Sequence, residues 1–117
     1  MIRSSPAWAR PSPRPLPALR EELERQRAFR EEQLAQLRAG NGAHRPGATD
    51  GEAARARREI RAALADGARR ALADIELALE RMRDGTYGRC RACGGGIAPA
   101  VLTAIPATTL CGACHPG

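Results

Sequence analysis

Four cysteines in two pairs, Cys90-Arg-Ala-Cys93 and Cys111-Gly-Ala-Cys114, are the residues of this chain whose type and spacing carry chemistry. A two-residue gap lets both sulfurs of one turn reach a single ion at about 2.3 Å, and a second such pair completes a tetrahedron. The pattern C-x2-C-x17-C-x2-C therefore predicts one structural Zn2+ held by Cys90, Cys93, Cys111 and Cys114, with no position left open for water. In so short a tail the metal would supply much of the folding free energy that a small core cannot. Three other readings compete. Two disulfides need an oxidising compartment, and a thioredoxin-like redox pair needs a βαβ context that is not visible. Cys111-Gly-Ala-Cys114-His115 matches the C-x-x-C-H haem attachment pattern, but that chemistry wants export, and here a second cysteine pair is on offer. With zinc, His115 is a solvent-facing residue or a neighbour of the metal thiolates.

The opening stretch, MIRSSPAWARPSPRPLPALR, has positive charges but no continuous apolar run after them, and no run of apolar residues is long enough for a membrane span. The expected location is the cytoplasm, where thiols stay reduced. Outside the cysteines no nucleophile has a neighbouring base and the two His stand near chain breaks, so an enzyme is not expected.

The elements that must position the cysteines are modest. With 117 residues and 3% aromatics, the chain has room for one small core built from Leu, Ile and Ala; a large aromatic-lined core is excluded and a deep catalytic cleft is not expected. Residues 1–16 hold prolines and arginines around Trp8 and read as an irregular leader, with Trp8 free to dock it on the body or the Arg-Pro tail to touch nucleic acid. From Pro17, with Glu21 and Glu22 in the first turn, a helix is predicted to about residue 39. Its stripe is Leu16, Leu19, Leu23, Leu34 and Leu37, with Phe29 at the edge and Gln26, Arg30 and Gln33 near the seam. Gly40-Asn41-Gly42 should stop it, and residues 40–50 form a loop.

Thr49-Asp50-Gly51-Glu52 has the spacing of a capping box. The second predicted helix then runs to about Asp84 on a stripe of Ile60, Leu64, Ala71, Leu72, Ile75, Leu79 and Met82, with Gly67 a candidate kink. A short loop makes the pair antiparallel, with arms of about 33 Å and 50 Å at a rise of about 1.5 Å per residue. The fold class is thus all-α: a coiled-coil-like helical hairpin over 17–84 with a four-cysteine zinc finger over 85–117. Because the second arm outruns the first, its Leu72–Met82 end should be covered by Leu16, by Trp8 or by the Ile97/Leu102 region.

The run Asp84-Gly85-Thr86-Tyr87-Gly88-x-Cys90-x-x-Cys93-Gly94, followed by Ile97, Leu102, Ala104-x-Pro106-Ala107-x-x-Leu110 and the second cysteine pair, resembles the zinc finger of the DksA/TraR family. The helix Ala71–Met82 also resembles that family's second hairpin helix. The resemblance implies a bacterial transcription regulator that binds RNA polymerase rather than DNA and inserts its hairpin through the secondary channel toward the catalytic magnesium. In the family an acidic tip of the form D-x-x-D-x-A carries the effect. Here Asp50 is followed at the third position by Ala53, and Glu52 is the other nearby acid. Asp50 and Glu52 are accordingly candidates both for the polymerase centre and for helix N-capping. With no Lys in the chain, and Val101 where a basic residue usually precedes Leu102, alarmone binding is not expected.

All 19 basic residues are Arg, and the net charge is +6, which favours an acidic partner. Arg55, Arg57, Arg58 and Arg61 near the tip, with Arg69 and Arg70 lower down, form either a solvated helix face or a contact surface; Arg55 and Arg58 are the candidates for partner binding. Direct, sequence-specific DNA binding is not expected, because aromatics for base stacking are almost absent. The reading is a monomeric, zinc-stabilised polymerase regulator. Its alternative is a zinc-stabilised adaptor whose hairpin binds another protein.

Overall fold

The computed structural model describes residues 15–42 and 51–115. Trp8, Thr49 and Asp50 lie outside them. The described elements are three helices, α1 (Leu16–Gly42), α2 (Glu52–Asp84) and α3 (Pro99–Ala104). No strand occurs among the described residues, which hold one isolated antiparallel bridge between Arg89 and Gly96.

The two long helices pack on each other along seams with alternating steps of three and four. In α1 the buried and half-buried positions include Leu19, Leu23, Gln26, Arg30, Gln33, Leu37 and Gly40, and in α2 Arg61, Ala65, Ala68, Leu72, Ile75, Leu79 and Met82. This is the heptad pattern of a two-helix coiled coil, so the expected hairpin and its partly polar α1 seam are present. Two polar side chains of the α1 seam bond along their own helix: Gln26 donates to Glu22 at 3.0 Å and Arg30 to Gln33 at 3.0 Å.

Four expectations change. First, Ile60 and Leu64 are 60% and 50% exposed, and Arg61, Ala65 and the fully buried Ala68 face α1 in their place. A wheel of 100° per residue drifts by about 20° per heptad from a 3.5-residue seam, and two heptads below Ile75 that drift selects the neighbouring residues. Second, α1 runs through Gly40 and on to Gly42. A Cβ on Gly40 would lie 3.2 Å from the Arg61 guanidinium, so the glycine is where the arginine side chain of α2 crosses α1, and packing overrides its helix-breaking tendency. Third, α1 starts at Leu16, which leaves Glu21 and Glu22 beyond the first turn. Fourth, α2 starts at Glu52 with Gly51, extended at φ −74°, as N-cap and no side-chain capping bond. The capping box fails because Glu52 is the first helical residue, while the box needs it at the third. α2 is assigned as one helix through Gly67.

At the base, Leu19 and Leu23 of α1 join Ile75, Ala78, Leu79 and Met82 of α2 in the main core, and Tyr87, Leu102 and Ala107 pack against it. Leu19 and Leu23 thus cover the end of α2 that was expected to lack a partner in the first helix. Leu102 contributes as expected, whereas Leu16 remains 43% exposed.

Candidate metal centre and hairpin tip

Glycine chemistry at the end of α2 aims the chain at the cysteines. Gly85 takes the left-handed conformation at φ 79°, open to glycine at little steric cost. Its N–H and that of Thr86 bond back to the Met82 and Arg81 carbonyls, closing a Schellman motif. The Arg81 guanidinium then holds the Thr86 and Arg89 carbonyls, tying the lead-in to the last turn of the helix. Tyr87 turns inward and its hydroxyl donates to the Pro106 carbonyl at 2.8 Å, joining the two halves of the module; burial pushes its phenol up to about 12. Arg91 closes the other side, with its N–H on the Thr109 carbonyl at 2.9 Å and its side chain on the Thr109 hydroxyl at 3.0 Å.

Each cysteine pair sits on a tight turn. The Gly94 N–H bonds to the Cys90 carbonyl at 2.8 Å and the Cys90 N–H to the Gly95 carbonyl at 2.7 Å, with Gly94 at φ 77°. In the second turn the N–H groups of Cys114 and His115 converge on the Cys111 carbonyl at 3.1 and 2.9 Å. The result brings all four sulfurs within 4.8 Å of one another. Cys93 and Cys111 are 3.8 Å apart, the edge of a tetrahedron whose centre lies about 2.3 Å from each sulfur. The Gly95 N–H points at the Cys93 sulfur at 3.4 Å, the kind of outer contact that steadies a thiolate ligand.

The electrostatics ask for a cation. Backbone N–H groups of Cys111 and Cys93 bring the Cys90 thiol down to about 6, while hydrogen bonding with the Cys111, Cys90 and Cys93 sulfurs pushes Cys114 up to about 12. Four sulfurs this close cannot all be thiolates without a positive centre among them. The cysteines are positioned to bind a metal ion, and the donor set fits a soft or borderline divalent metal. The haem and disulfide readings lose their residues to this arrangement, since both pairs converge on one point and the cysteines are free.

The tip candidates lie at the other end of the hairpin. Glu52, Arg55 and Arg58 are exposed on the first two turns of α2, spaced by three so that they share one side, while Asp50 falls outside the described residues. Glu52 sits in the first turn, where a carboxylate suits the helix dipole. The hairpin does not bring these residues to the cysteines. Sequence reasoning missed the small buried partners Ala68 and Ala78, as well as Thr108, whose hydroxyl donates to the Leu110 carbonyl at 3.0 Å just before the second cysteine pair. A weak signal for Ala68 existed in its heptad spacing to Ile75.

A helical hairpin whose base is clamped by a four-cysteine knuckle defines a class of small helical factors with a metal-binding foot. A solved structure of this class, described as the transcription factor DksA2 from Pseudomonas aeruginosa, matches with a TM-score of 0.63 at 33% identity, over 80% of this chain and 74% of that one. The chain belongs to the DksA/TraR family. No family model and no curated protein matches it.

Proposed function

We propose that this protein is a transcription regulator that binds RNA polymerase and modulates initiation by inserting its hairpin into the secondary channel. The observation that carries the reading is the union of a reaching element with an anchoring one: α2 alone, at 33 residues, spans about 50 Å, and its foot is the family's cysteine knuckle. The family relative is described as a transcription factor, which supports the same class for this chain. Cys90, Cys93, Cys111 and Cys114 hold a single Zn2+; four thiolates in a closed tetrahedron suit zinc, which lends charge neutralisation and rigidity and leaves no reactive position. Asp50 and Glu52 bring negative charge toward the polymerase magnesium, while Arg55 and Arg58 behind them meet acidic polymerase surface. The factor acts as a cytoplasmic monomer, without catalysis of its own and without sequence-specific DNA contact. Among the described residues, no helix is long and apolar enough to cross a membrane.

The adaptor reading has one observation of its own, the exposed Ile60 and Leu64 on α2 below the tip. Sedimentation with core RNA polymerase and transcription from a polymerase-dependent promoter separate the two. The regulator binds core polymerase, and the doubly substituted Asp50→Ala, Glu52→Ala protein still binds but loses its effect on initiation. An adaptor leaves the transcription profile unchanged with either version.

A further inference from the structure

Beside the seam that packs on α1, a second row with coiled-coil spacing runs along α2. Arg57, Ile60, Leu64, Gly67, Ala71 and Asp74 follow one another in steps of three and four, over about 26 Å of helix. Ile60 and Leu64 are 60% and 50% exposed, and Gly67 has open space where a Cβ would stand. At its lower end the row opens into a groove of about 580 Å³, in which Ala71 and Asp74 face Phe29 and Arg30 of α1. Phe29 is 64% exposed, with the Arg30 guanidinium 5.5 Å from its ring centroid. The row stops after Asp74, because Ala78 is already buried in the main core. Large apolar side chains left in water at helical spacing mark a contact surface, and the order of residue types along this one indicates its partner.

We propose that the row pairs with the same row of a second copy of this chain, α2 against α2 in antiparallel orientation, about a two-fold axis between Ala65 and Asp66. In that register Arg57 meets Asp74 of the second copy, Ile60 meets its Ala71, and Leu64 meets its Gly67. Each pair occurs twice, since a two-fold interface that joins one residue to another also joins the second to the first. Every layer sets a large side chain on a small one or a cation on an anion. Ile60 enters the groove of the second copy and covers its Phe29. Neither Arg57 nor Asp74 makes a hydrogen bond or ion pair among the described residues, so both charges are open to the contact. The charge of the whole helix selects the same orientation. Residues 52–65 carry four arginines against two glutamates, and residues 66–79 carry three carboxylates against two arginines, so antiparallel pairing lays a +2 half on a −1 half, whereas parallel pairing would lay like on like. A seam this short belongs with interfaces below about 1,200 Å², which are transient. The dimer is therefore a concentration-dependent state of the free protein, and the monomer remains the form that acts on polymerase.

Sedimentation velocity of the full-length, zinc-loaded protein without polymerase tests the pairing independently of the function proposed above. The sedimentation coefficient should rise with concentration from monomer to dimer. Asp74→Arg sets like charges against each other at both ends of the seam and should weaken dimerisation about tenfold. Adding Arg57→Asp to that chain restores opposite charges at both ends and should recover the dimer. Ile60→Gln together with Leu64→Gln should leave a monomer over the same concentrations. Circular dichroism should show the helices intact in every variant, because all four positions are exposed. Three results overturn the proposal: a native protein that stays monomeric up to millimolar concentration, a dimer that survives the paired glutamine substitutions and so uses another face, and a dimer that Asp74→Arg leaves unchanged or that the charge exchange does not recover.

Discussion

Cys114 and Cys90 bracket the chemistry of the foot. Metal loading must displace a proton from Cys114 throughout the neutral range, because its thiol is raised to about 12, whereas Cys90, lowered to about 6, is already ionised above that pH. Below about 6 one more proton has to leave for each metal bound, so zinc affinity should fall with falling pH and fall more steeply there. Competition against a chromophoric chelator across pH checks this, and an affinity independent of pH would contradict four-thiolate ligation. Gly85 gives a second test. A side chain at its φ of 79° is strained, so Gly85→Ala should cost about 1 kcal/mol and loosen the lead-in to Cys90, read as a lower melting temperature with metal present. Of the site, both cysteine pairs were legible because two-residue spacing is a purely local signal. The Arg91 contact with Thr109 and the Tyr87 bond to Pro106 were not, since each depends on how two distant turns meet.

The helices show where sequence periodicity informs and where it misleads. Leu19, Leu23, Ile75, Leu79 and Met82 stood out as apolar positions at helical spacing, and all five are buried. Ile60 and Leu64 stood out in the same way and are exposed, because hydrophobic type says nothing about which of two adjacent rows a supercoiled partner selects. Gly40 shows the converse: a stop signal in the sequence is a packing site for Arg61 in the fold. These assignments predict contrasting stabilities. Leu23→Ala, at a fully buried position, should cost about 2–5 kcal/mol, while Ile60→Ala and Leu64→Ala should each stay within about 0.5 kcal/mol in urea titrations. Gly67→Ala should stabilise by up to about 1 kcal/mol, because the position lies within α2 and nothing lies within 4 Å of the added Cβ. Surface pairs such as Arg69–Asp66 at 2.6 Å add little, since both partners are more than half exposed.

Taken whole, the molecule is long for its size: a radius of gyration of 19.4 Å and extents of 74 × 32 × 25 Å, against about 13 Å for a compact chain of similar length. Such a shape exposes much surface per buried residue, and its main core is confined to the base, where Leu102 and Ala107 of the cysteine module close over the hairpin. Chelation of the metal should therefore disorder the foot and lower the melting temperature of the hairpin with it, with both restored by zinc. A hairpin that melts at the same temperature with and without metal would show the two parts to be energetically separate.

The reach of that hairpin into polymerase is the central claim, and a photo-reactive residue at Glu52 tests it most directly. In complex with core RNA polymerase, crosslinks from position 52 are predicted to fall on the polymerase segments that surround the catalytic magnesium, and to be suppressed by another protein occupying the secondary channel. Crosslinks confined to the outer surface of polymerase, or unaffected by that competitor, would contradict the account.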